Sequence, residues 1–314
     1  MPIVLPDFSD LHILVIGDVM IDRYVNGLVT RISPEAPVPV VEQKSIENRA
    51  GGSANVALNV RSLGAKVSLL SIGGHDHEYD TLNEILSKTQ IETHILKIQN
   101  RKTTTKTRVL SGNQQLLRID HEDKHDIGAS EESQLLDTFN QIVNNTPIDG
   151  IILQDYNKGM LTTSLISTFI NTANEKNIPT FVDPKEKNFF AYQSCTLFKP
   201  NKKEIRQAVG SLSLDDADIL IKKKLQNKYT IITLGSEGIY INDGYHGKIY
   251  PTTQRIIADV CGAGDSVISV VSLCYIKGMN SGDIASVANV AGGQVCEIPG
   301  VVPVDLEKLK EELL

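Results

Sequence analysis

The feature that most constrains the fold is a regular alternation of helix-like and strand-like segments from Ser130 onward. Short apolar runs at residues 148–153 and 179–182 have the length of buried strands, and the stretch at residues 162–177 between them has the helical period. Repeated strand and helix units build a parallel sheet with helices on both faces. The sequence therefore predicts an α/β chain with a doubly wound, mostly parallel sheet.

Two extended segments interrupt this alternation. Residues 25–47 contain three closely spaced prolines, which exclude helix, and residues 102–120 alternate polar and apolar side chains around a turn at residues 111–113. We predict that they form a small β-strand lid inserted into a single domain spanning residues 1–314. Because a small sheet has open edges and an apolar face, a homodimer through this lid is expected.

Composition narrows the functional classes. The 314 residues are 41% hydrophobic, enough for a large core, and the net charge is −7. Lysine and arginine are spread along the chain, so we expect neither a nucleic acid nor a membrane as partner. The absence of a signal-like or spanning apolar run predicts a cytoplasmic location. The four cysteines are widely spaced, which predicts reduced thiols rather than a zinc site.

The most informative short stretch is residues 259–265, which leads into an apolar helix-like run. Gly262, Ala263 and Gly264 allow a tight turn whose amides face outward at the positive end of the helix dipole, which suits a phosphate. Asp265 follows in the first helical turn, where it could accept a proton from a hydroxyl beside that phosphate. Taken alone, the same pattern also fits an ordinary capped helix after a glycine turn.

Polar clusters follow several predicted strands, where the ligand crevice of an open α/β sheet lies. Asp18 and Asp22 come after the first apolar run and are candidates to bind substrate hydroxyls. Three later loops, at residues 154–159, 183–185 and 199–204, each carry lysine and favour an anionic ligand, although each could be an ordinary turn. The glycine pair at residues 51–52 opens a helix, either for ligand approach or for tight packing.

These motifs, taken in order, resemble those of the ribokinase-like (PfkB) carbohydrate kinases over nearly the whole chain. The matching features are the glycine pair, Asn201 with Glu204, the turn from Thr233 to Gly238, and the stretch ending at Asp265. The resemblance implies ATP as phosphoryl donor and Mg²⁺ as metal. It also implies that Asp265 is the catalytic base and that residues 262–264 form an anion hole.

The resemblance distributes the remaining roles over the crevice. Asn201 and Glu204 would organise Mg²⁺, through water, and the nucleotide phosphates. The nucleotide would further contact Thr233, Gly235, Gly238 and Asn289. The expected sugar-binding residues are Asp18, Asp22, Gly51, Gly52, Asn55, Arg118, Lys158 and Lys185. A monovalent cation near Asp259 is a further expectation, although Cys261 and Ser266 stand where the family often has threonine.

Within that family, residues 17–24, 31–40 and 113–120 resemble the bacterial group that phosphorylates the anomeric hydroxyl of D-glycero-β-D-manno-heptose 7-phosphate. That group often carries a second, nucleotidyltransferase domain, of which this sequence has no motif, so only the kinase half is expected here. Two alternatives stay open at this point. The chain could phosphorylate another sugar or sugar phosphate, or it could be a regulatory protein that binds nucleotide or sugar phosphate without turnover.

Overall fold

The computed structural model describes residues 2–112 and 114–314, so Asn113, at the tip of the predicted lid turn, lies outside the described residues. The core of the molecule is a nine-stranded sheet. In chain order its strands are β1 (His12–Gly17), β4 (Lys66–Gly74), β5 (Glu92–Ile98), β8 (Gly150–Gln154), β9 (Thr180–Asp183), β10 (Leu197–Phe198), β11 (Tyr229–Thr233), β12 (Ile239–Asn242) and β13 (Gly247–Tyr250).

The spatial order of this sheet is β13-β12-β11-β10-β9-β8-β1-β4-β5. All neighbours from β11 to β5 run parallel, and only β12 and β13 pair antiparallel. Both faces are buried, because alternate residues of β1 enter opposite cores: Ile13 and Val15 face one, and Leu14 and Ile16 the other. The predicted doubly wound, mostly parallel sheet is confirmed.

Helices cover the two faces of the sheet. Their bounds are α1 Ser53–Ser62, α2 His77–Ser87, α3 Ala129–Asn145, α4 Thr163–Glu175, α5 Lys202–Val209, α6 Leu214–Leu225, α7 Ala263–Ile276, α8 Ser281–Cys296 and α9 Leu306–Leu313. The core on one face takes apolar side chains from α1, α2, α7, α8 and α9, and the other core takes them from α3, α4, α5 and α6. Among the described residues, none of the helices combines the length and apolar character needed to span a bilayer.

A second sheet of four strands stands beside the first. It contains β2 (Val19–Ile32), β3 (Pro39–Gly52), β6 (Thr105–Ser111) and β7 (Gln114–His121), in the order β3-β2-β6-β7. Its two long strands exceed the predicted lid segment at both ends, since β2 begins directly after Asp18 and β3 continues to the start of α1. We refer to this four-stranded sheet as the lid.

The main sheet brings distant loops to one edge. In the parallel register, Gly17 at the end of β1 is level with Gln154 at the end of β8, and Gln154 is level with Asp183 at the end of β9. The lid begins at this same edge, because β2 follows β1 after a single residue. A crevice therefore runs between the carboxyl ends of the strands and the lid, where open α/β sheets bind their ligands.

Candidate active site

The crevice is centred on the start of α7. Gly262 caps this helix in the left-handed region, with a φ of 82°, and no side chain caps the first turn. A side chain at this position would be strained, and its Cβ would lie 3.0 Å from the Asn55 amide nitrogen. The Ala263 amide donates to the Val260 carbonyl oxygen at 3.4 Å, so among the described residues it is the Gly264 and Asp265 amides that are available to an anion at the positive end of the helix dipole.

Asp265 lies in this first turn and is 4% exposed. Its Oδ1 accepts hydrogen bonds from the Tyr156 hydroxyl at 2.7 Å and from Gln154 Nε2 at 3.2 Å. Its Oδ2 accepts one from Asn55 Nδ2 at 2.7 Å. An ionised carboxylate has about four lone-pair sites, two on each oxygen. Among the described residues Oδ1 is therefore filled, and the open site of this carboxylate is on Oδ2.

The protonation of Asp265 is set by opposing effects. Burial raises its pKa to about 6, and the hydrogen bonds from Asn55 and Tyr156 act in the opposite direction. The nearby Asp183 raises the pKa further, while Lys199 lowers it. A carboxylate tuned in this way is ionised at neutral pH yet basic enough to accept a proton, which is what a general base requires.

Asn59 fixes the orientation of the Asn55 side chain. Its Nδ2 donates to Asn55 Oδ1 at 3.2 Å, which turns the Asn55 amide nitrogen toward Asp265. In turn, Asn59 Oδ1 accepts from the Ser266 hydroxyl at 2.9 Å and from the Val304 amide at 3.0 Å. One hydrogen-bonded chain thus joins α1, α7 and the segment before α9 behind the carboxylate.

A cleft of about 950 Å³ opens from Asp265 toward β11, β13 and α8. It contains all of the nucleotide-side residues that the sequence motifs indicated: Asn201, Thr233, Gly235, Gly238, Gly262, Ala263, Gly264 and Asn289, with Glu204 packed behind them. Gly235 and Gly238 have positive φ values of 63° and 101°. Asn289 donates to the backbone carbonyl oxygens of Tyr250 and Pro251 and so holds one wall of the cleft.

Asn201 and Glu204 first of all hold each other. They form a capping box at the start of α5, in which each side chain accepts the other's backbone amide at 2.9 Å. The second oxygen of Glu204 pairs with Lys185. Lys185, expected among the sugar-binding residues, lines this cleft, and its Nζ lies 5.4 Å from the centre of the Tyr156 ring.

A buried ion pair lies next to the glycine turn at residues 262–264, which we call the anion turn. Lys199 Nζ is 3.0 Å from Asp183 Oδ2, and both side chains are under 10% exposed. A Cβ on Gly264 would lie 3.7 Å from an atom of each. The position of Lys199 beside the first-turn amides adds positive charge where a phosphoryl group would sit.

The opposite wall of the crevice belongs to the lid. Asp22 lies within β2, on the lid itself, and pairs with Arg108 of β6 at 2.5 Å. Both side chains are nearly buried, and Arg108 Nη2 also lies 3.6 Å from Cys261 Sγ. Gly51 makes room for this arrangement, because a Cβ there would meet the Asp22 carboxylate. Gly52, with a φ of 62°, caps α1 so that Asn55 reaches Asp265.

Three other expected sugar-binding residues are engaged elsewhere. Asp18 is buried, and its oxygens accept the backbone amides of Tyr156, Lys158 and Met160, so it shapes that loop. The Lys158 side chain pairs with Glu122 at 2.6 Å. Arg118, on β7, is 52% exposed and pairs with Asp120 at 2.8 Å.

The lid also contacts the loop that follows α8. The Tyr24 hydroxyl accepts the Val301 amide at 3.1 Å, and Arg49 donates to the carbonyl oxygens of Pro299 and Val301 at 3.0 and 3.2 Å. Asp259 ties this loop to the anion turn, since its two oxygens accept the amides of Cys261 and Gly300 at 3.0 and 3.1 Å. The lid and the anion turn are therefore mechanically connected.

The sequence analysis named the loops at residues 154–159 and 199–204 but gave no individual role to Gln154, Tyr156 or Lys199. It did not select four further residues that the fold brings to this site: Lys106, Arg108, Gly292 and Gly293. Two adjacent glycines inside α8 are a signal that was available, since glycine costs stability in a helix interior. A Cβ on Gly293 would meet the Arg255 side chain at 2.5 Å. The strand-end positions of Gln154 and Tyr156 were a second such signal.

A doubly wound sheet, a lid over its carboxyl edge, and a buried carboxylate at a glycine-capped helix start define a class of phosphoryl-transfer enzymes acting on small hydroxyl compounds. The pfkB family carbohydrate kinase model matches residues 10–308. The chain belongs to this family of carbohydrate kinases, whose members use ATP and typically Mg²⁺.

Curated relatives extend along nearly the whole chain. The bifunctional protein HldE of Nitratiruptor sp. is 38% identical over 96% of the chain and that of Methylobacillus flagellatus 39% identical over 96%. These alignments cover 64% and 63% of the two relatives, so the chain spans a little under two thirds of their length.

Solved structures share the fold. Phosphofructokinase-2 from Escherichia coli, in complex with substrates and products, superposes with a TM-score of 0.79 at 18% identity, covering 96% of this chain and 99% of that one. The same enzyme in complex with fructose 6-phosphate gives a TM-score of 0.76 at 17% identity, over 96% and 98% of the two chains. At these identities the likeness concerns the fold alone.

Proposed function

We propose that the chain transfers the γ-phosphoryl group of ATP to the anomeric hydroxyl of D-glycero-β-D-manno-heptose 7-phosphate, giving the 1,7-bisphosphate. The observation that carries the kinase chemistry is the Asp265 carboxylate, held by three side-chain donors beside the free amides of a glycine-capped helix. The choice of sugar rests on the segments that resemble heptose 7-phosphate kinases and on the similarity to HldE proteins.

In this proposal the sugar hydroxyl donates to Asp265 Oδ2 and transfers its proton there as its oxygen attacks the γ-phosphorus. The bond from the γ-phosphorus to the bridging oxygen breaks, and ADP leaves. The amides at the start of α7 and the Lys199 ammonium stabilise the charge on the transferred group. Gln154 and Tyr156 hold Oδ1, so that the carboxylate keeps Oδ2 turned to the acceptor.

The residues present fit a magnesium ion carried mainly by the nucleotide. Within residues 2–112 and 114–314, no group of three or more His, Cys, Asp or Glu side chains is arranged to hold a metal by itself. Mg²⁺ commonly keeps several waters and relies on substrate phosphates plus one or two protein carboxylates. Asn201 and Glu204 would reach it through water, and the ion would neutralise phosphate charge during transfer.

We further propose the monovalent cation near Asp259 as a separate, testable element. Arg49 already places positive charge at the Pro299 and Val301 carbonyl oxygens, so no step of the reaction is derived through a second cation there. Steady-state rates in potassium chloride and in choline chloride at equal ionic strength decide this point. Equal rates would remove the cation from the proposal.

The lid is also the proposed homodimer surface. Five of its large apolar side chains are about half exposed or more, namely Leu28, Ile32, Ile46, Leu117 and Ile119, and so is Val38 in the connection between β2 and β3. Exposed apolar patches on a small sheet with two open edges are typical of protein interfaces. Sedimentation equilibrium of the wild type and of a Leu117→Lys, Ile119→Lys double variant tests this, with a monomeric wild type contradicting it.

A substrate panel tests the proposed function as a whole. Heptose 7-phosphate, unphosphorylated heptose, fructose 6-phosphate, fructose 1-phosphate and ribose are compared by kcat/KM, with ADP release as readout. We expect heptose 7-phosphate to be preferred. Preference for an unphosphorylated sugar would reject the heptose assignment while leaving the kinase chemistry, and no phosphoryl transfer to any sugar would favour a regulatory role.

A further inference from the structure

Lys106 lies on the inner face of the lid. It is the second residue of β6, where it lies level with Asp22 of β2 and Asp120 of β7. Its side chain is partly buried. In the part of the chain that the structure describes, its ammonium has neither an ion pair within 4.0 Å nor a hydrogen bond.

Every carboxylate around Lys106 is already neutralised by another cation. Asp22 pairs with Arg108 at 2.5 Å, and Asp120 accepts two hydrogen bonds from Arg118 at 2.8 and 3.0 Å. The third neighbour, Glu122, pairs with both Lys158 at 2.6 Å and Lys124 at 3.1 Å. The cations around these three carboxylates therefore outnumber them, and Lys106 is the one for which the described residues offer no carboxylate within 4.0 Å.

Burial of an ammonium without a counter-ion costs free energy, which an incoming anion recovers. Desolvation and, after it, repulsion from Lys158 lower the pKa of Lys106, whereas the carboxylates of Asp22, Glu122 and Asp120 act to raise it. A further negative charge near Lys106 would therefore stabilise its ammonium.

The Lys106 ammonium lies close to the proposed base, Asp265. Lys106 Nζ lies 5.7 Å from the centre of the Tyr156 ring, and the hydroxyl of the same ring donates to Asp265 at 2.7 Å. One tyrosine ring thus separates the base from the unpaired ammonium. A substrate with its acceptor hydroxyl at Asp265 would extend along Tyr156 and bring its far end to Lys106.

We propose that Lys106 binds a phosphate monoester on the sugar, at the end remote from the hydroxyl that is phosphorylated, and thereby selects sugar phosphates over free sugars. This inference rests on the proposed function, since it assumes that the acceptor hydroxyl meets Asp265. It moves the phosphate contact from Lys158 and Lys185, which have carboxylate partners, to a lysine that has none.

The test combines ligand binding with turnover. Wild type, Lys106→Met and Lys106→Arg are compared with Lys44→Met, which removes a 59% exposed lysine from the same sheet. We expect Lys106→Met to weaken calorimetric binding of heptose 7-phosphate, and its kcat/KM, by about 10- to 100-fold, the range for a lost hydrogen bond between charged groups. The KM for ATP should hold, Lys106→Arg should restore part of the loss, and Lys44→Met should match the wild type.

The outcomes separate the two proposals. If the wild type binds heptose 7-phosphate no better than the unphosphorylated heptose, the proposed substrate is wrong. If it prefers the phosphorylated sugar and Lys106→Met retains that preference, only the role of Lys106 is wrong. A general folding defect in Lys106→Met would raise the KM for ATP as well, in which case Lys106→Gln, with a shorter polar side chain, repeats the comparison.

Discussion

The two sides of the crevice present different chemical groups: backbone amides and carbonyls on one side, and ionic side chains on the other. The side that is proposed to bind the nucleotide is lined by turns and helix starts, with glycines at positions 235, 238, 262 and 264 that expose backbone groups. The lid side uses ionic side chains, among which Asp22, Arg108 and Lys106 come from neighbouring strands. Backbone recognition suits the invariant phosphates of a nucleotide, whereas side-chain recognition can be altered one residue at a time to suit a particular sugar.

The largest loss of activity is expected from a substitution at Asp265, which lies where the two sides of the crevice meet. Asp265→Asn removes the proton acceptor while keeping the shape, so kcat should fall by about 10² to 10⁴, with the KM for ATP little changed. Steady-state kinetics measures both constants. Asp137→Asn, on an exposed face of α3, is the control and should match the wild type. Near-normal turnover in Asp265→Asn would exclude this residue as the base.

On the lid side, Arg108→Ala leaves the buried Asp22 carboxylate without a partner. Loss of one member of a buried pair typically lowers the free energy of unfolding by about 3–5 kcal/mol. Arg118→Ala is a matched control, because Arg118 is directly opposite Arg108 across β6 and β7 but pairs at the surface, where about 1 kcal/mol or less is expected. Urea denaturation followed by circular dichroism compares the two. Similar losses in the free energy of unfolding for the two variants would mean that the buried Asp22–Arg108 pair stabilises the fold no more than the surface pair does.

Tyr156 should tune the base without being essential to it. Asp265 must be ionised to accept a proton, so activity falls as the pH drops through its pKa of about 6. The Tyr156 hydrogen bond lowers that pKa, and its removal in Tyr156→Phe should therefore move the acidic limb of the kcat/KM profile to higher pH. Tyr192→Phe removes a buried hydroxyl that donates to Asp155 at the same distance of 2.7 Å and should leave the limb in place. An unshifted limb in Tyr156→Phe would contradict this role.

The smallest effect is expected on the nucleotide side. Asn289→Ala removes two hydrogen bonds to the Tyr250 and Pro251 carbonyl oxygens and loosens one wall of the cleft. The KM for ATP should rise by about 2- to 10-fold, in line with the usual worth of a neutral hydrogen bond, and the KM for sugar should stay constant. Asn171→Ala, on the exposed face of α4, serves as the reference. A change in the KM for sugar alone would contradict the prediction that Asn289 acts on nucleotide binding and not on sugar binding.

This division also explains what the sequence could predict. Local backbone signals were read correctly: the helix predicted at residues 202–209 has those bounds, and the glycines of the anion turn lie at the start of α7. These features depend on residues close together in the chain. The long-range contacts behind Asp265, from Asn55 and Tyr156, depend on how helices and strands pack, which single-sequence patterns do not contain.

The lid shows the limit most clearly. Arg118 was the arginine chosen from the sequence as a sugar-binding residue, which stays a prediction, while the buried contact with Asp22 is made by Arg108. The two arginines are directly opposite in one hairpin and project from the same face of the lid, but Arg108 lies on β6, which pairs with β2, whereas Arg118 lies on the edge strand β7. Lys106 could not be selected from the sequence either, because only the packing of the strands shows that the carboxylates nearest to it pair with other cations.

Several hydrogen bonds connect the proposed dimer surface to the anion turn. The Tyr24 hydroxyl and Arg49 connect the lid to the loop around Val301, and Asp259 connects that loop to the anion turn. If the lid is the surface on which two copies meet, separation of the copies would disturb the turn that is proposed to hold the transferred phosphoryl group. Specific activity should then decline on dilution, and kcat, rather than substrate affinity alone, would report how many of the molecules are paired.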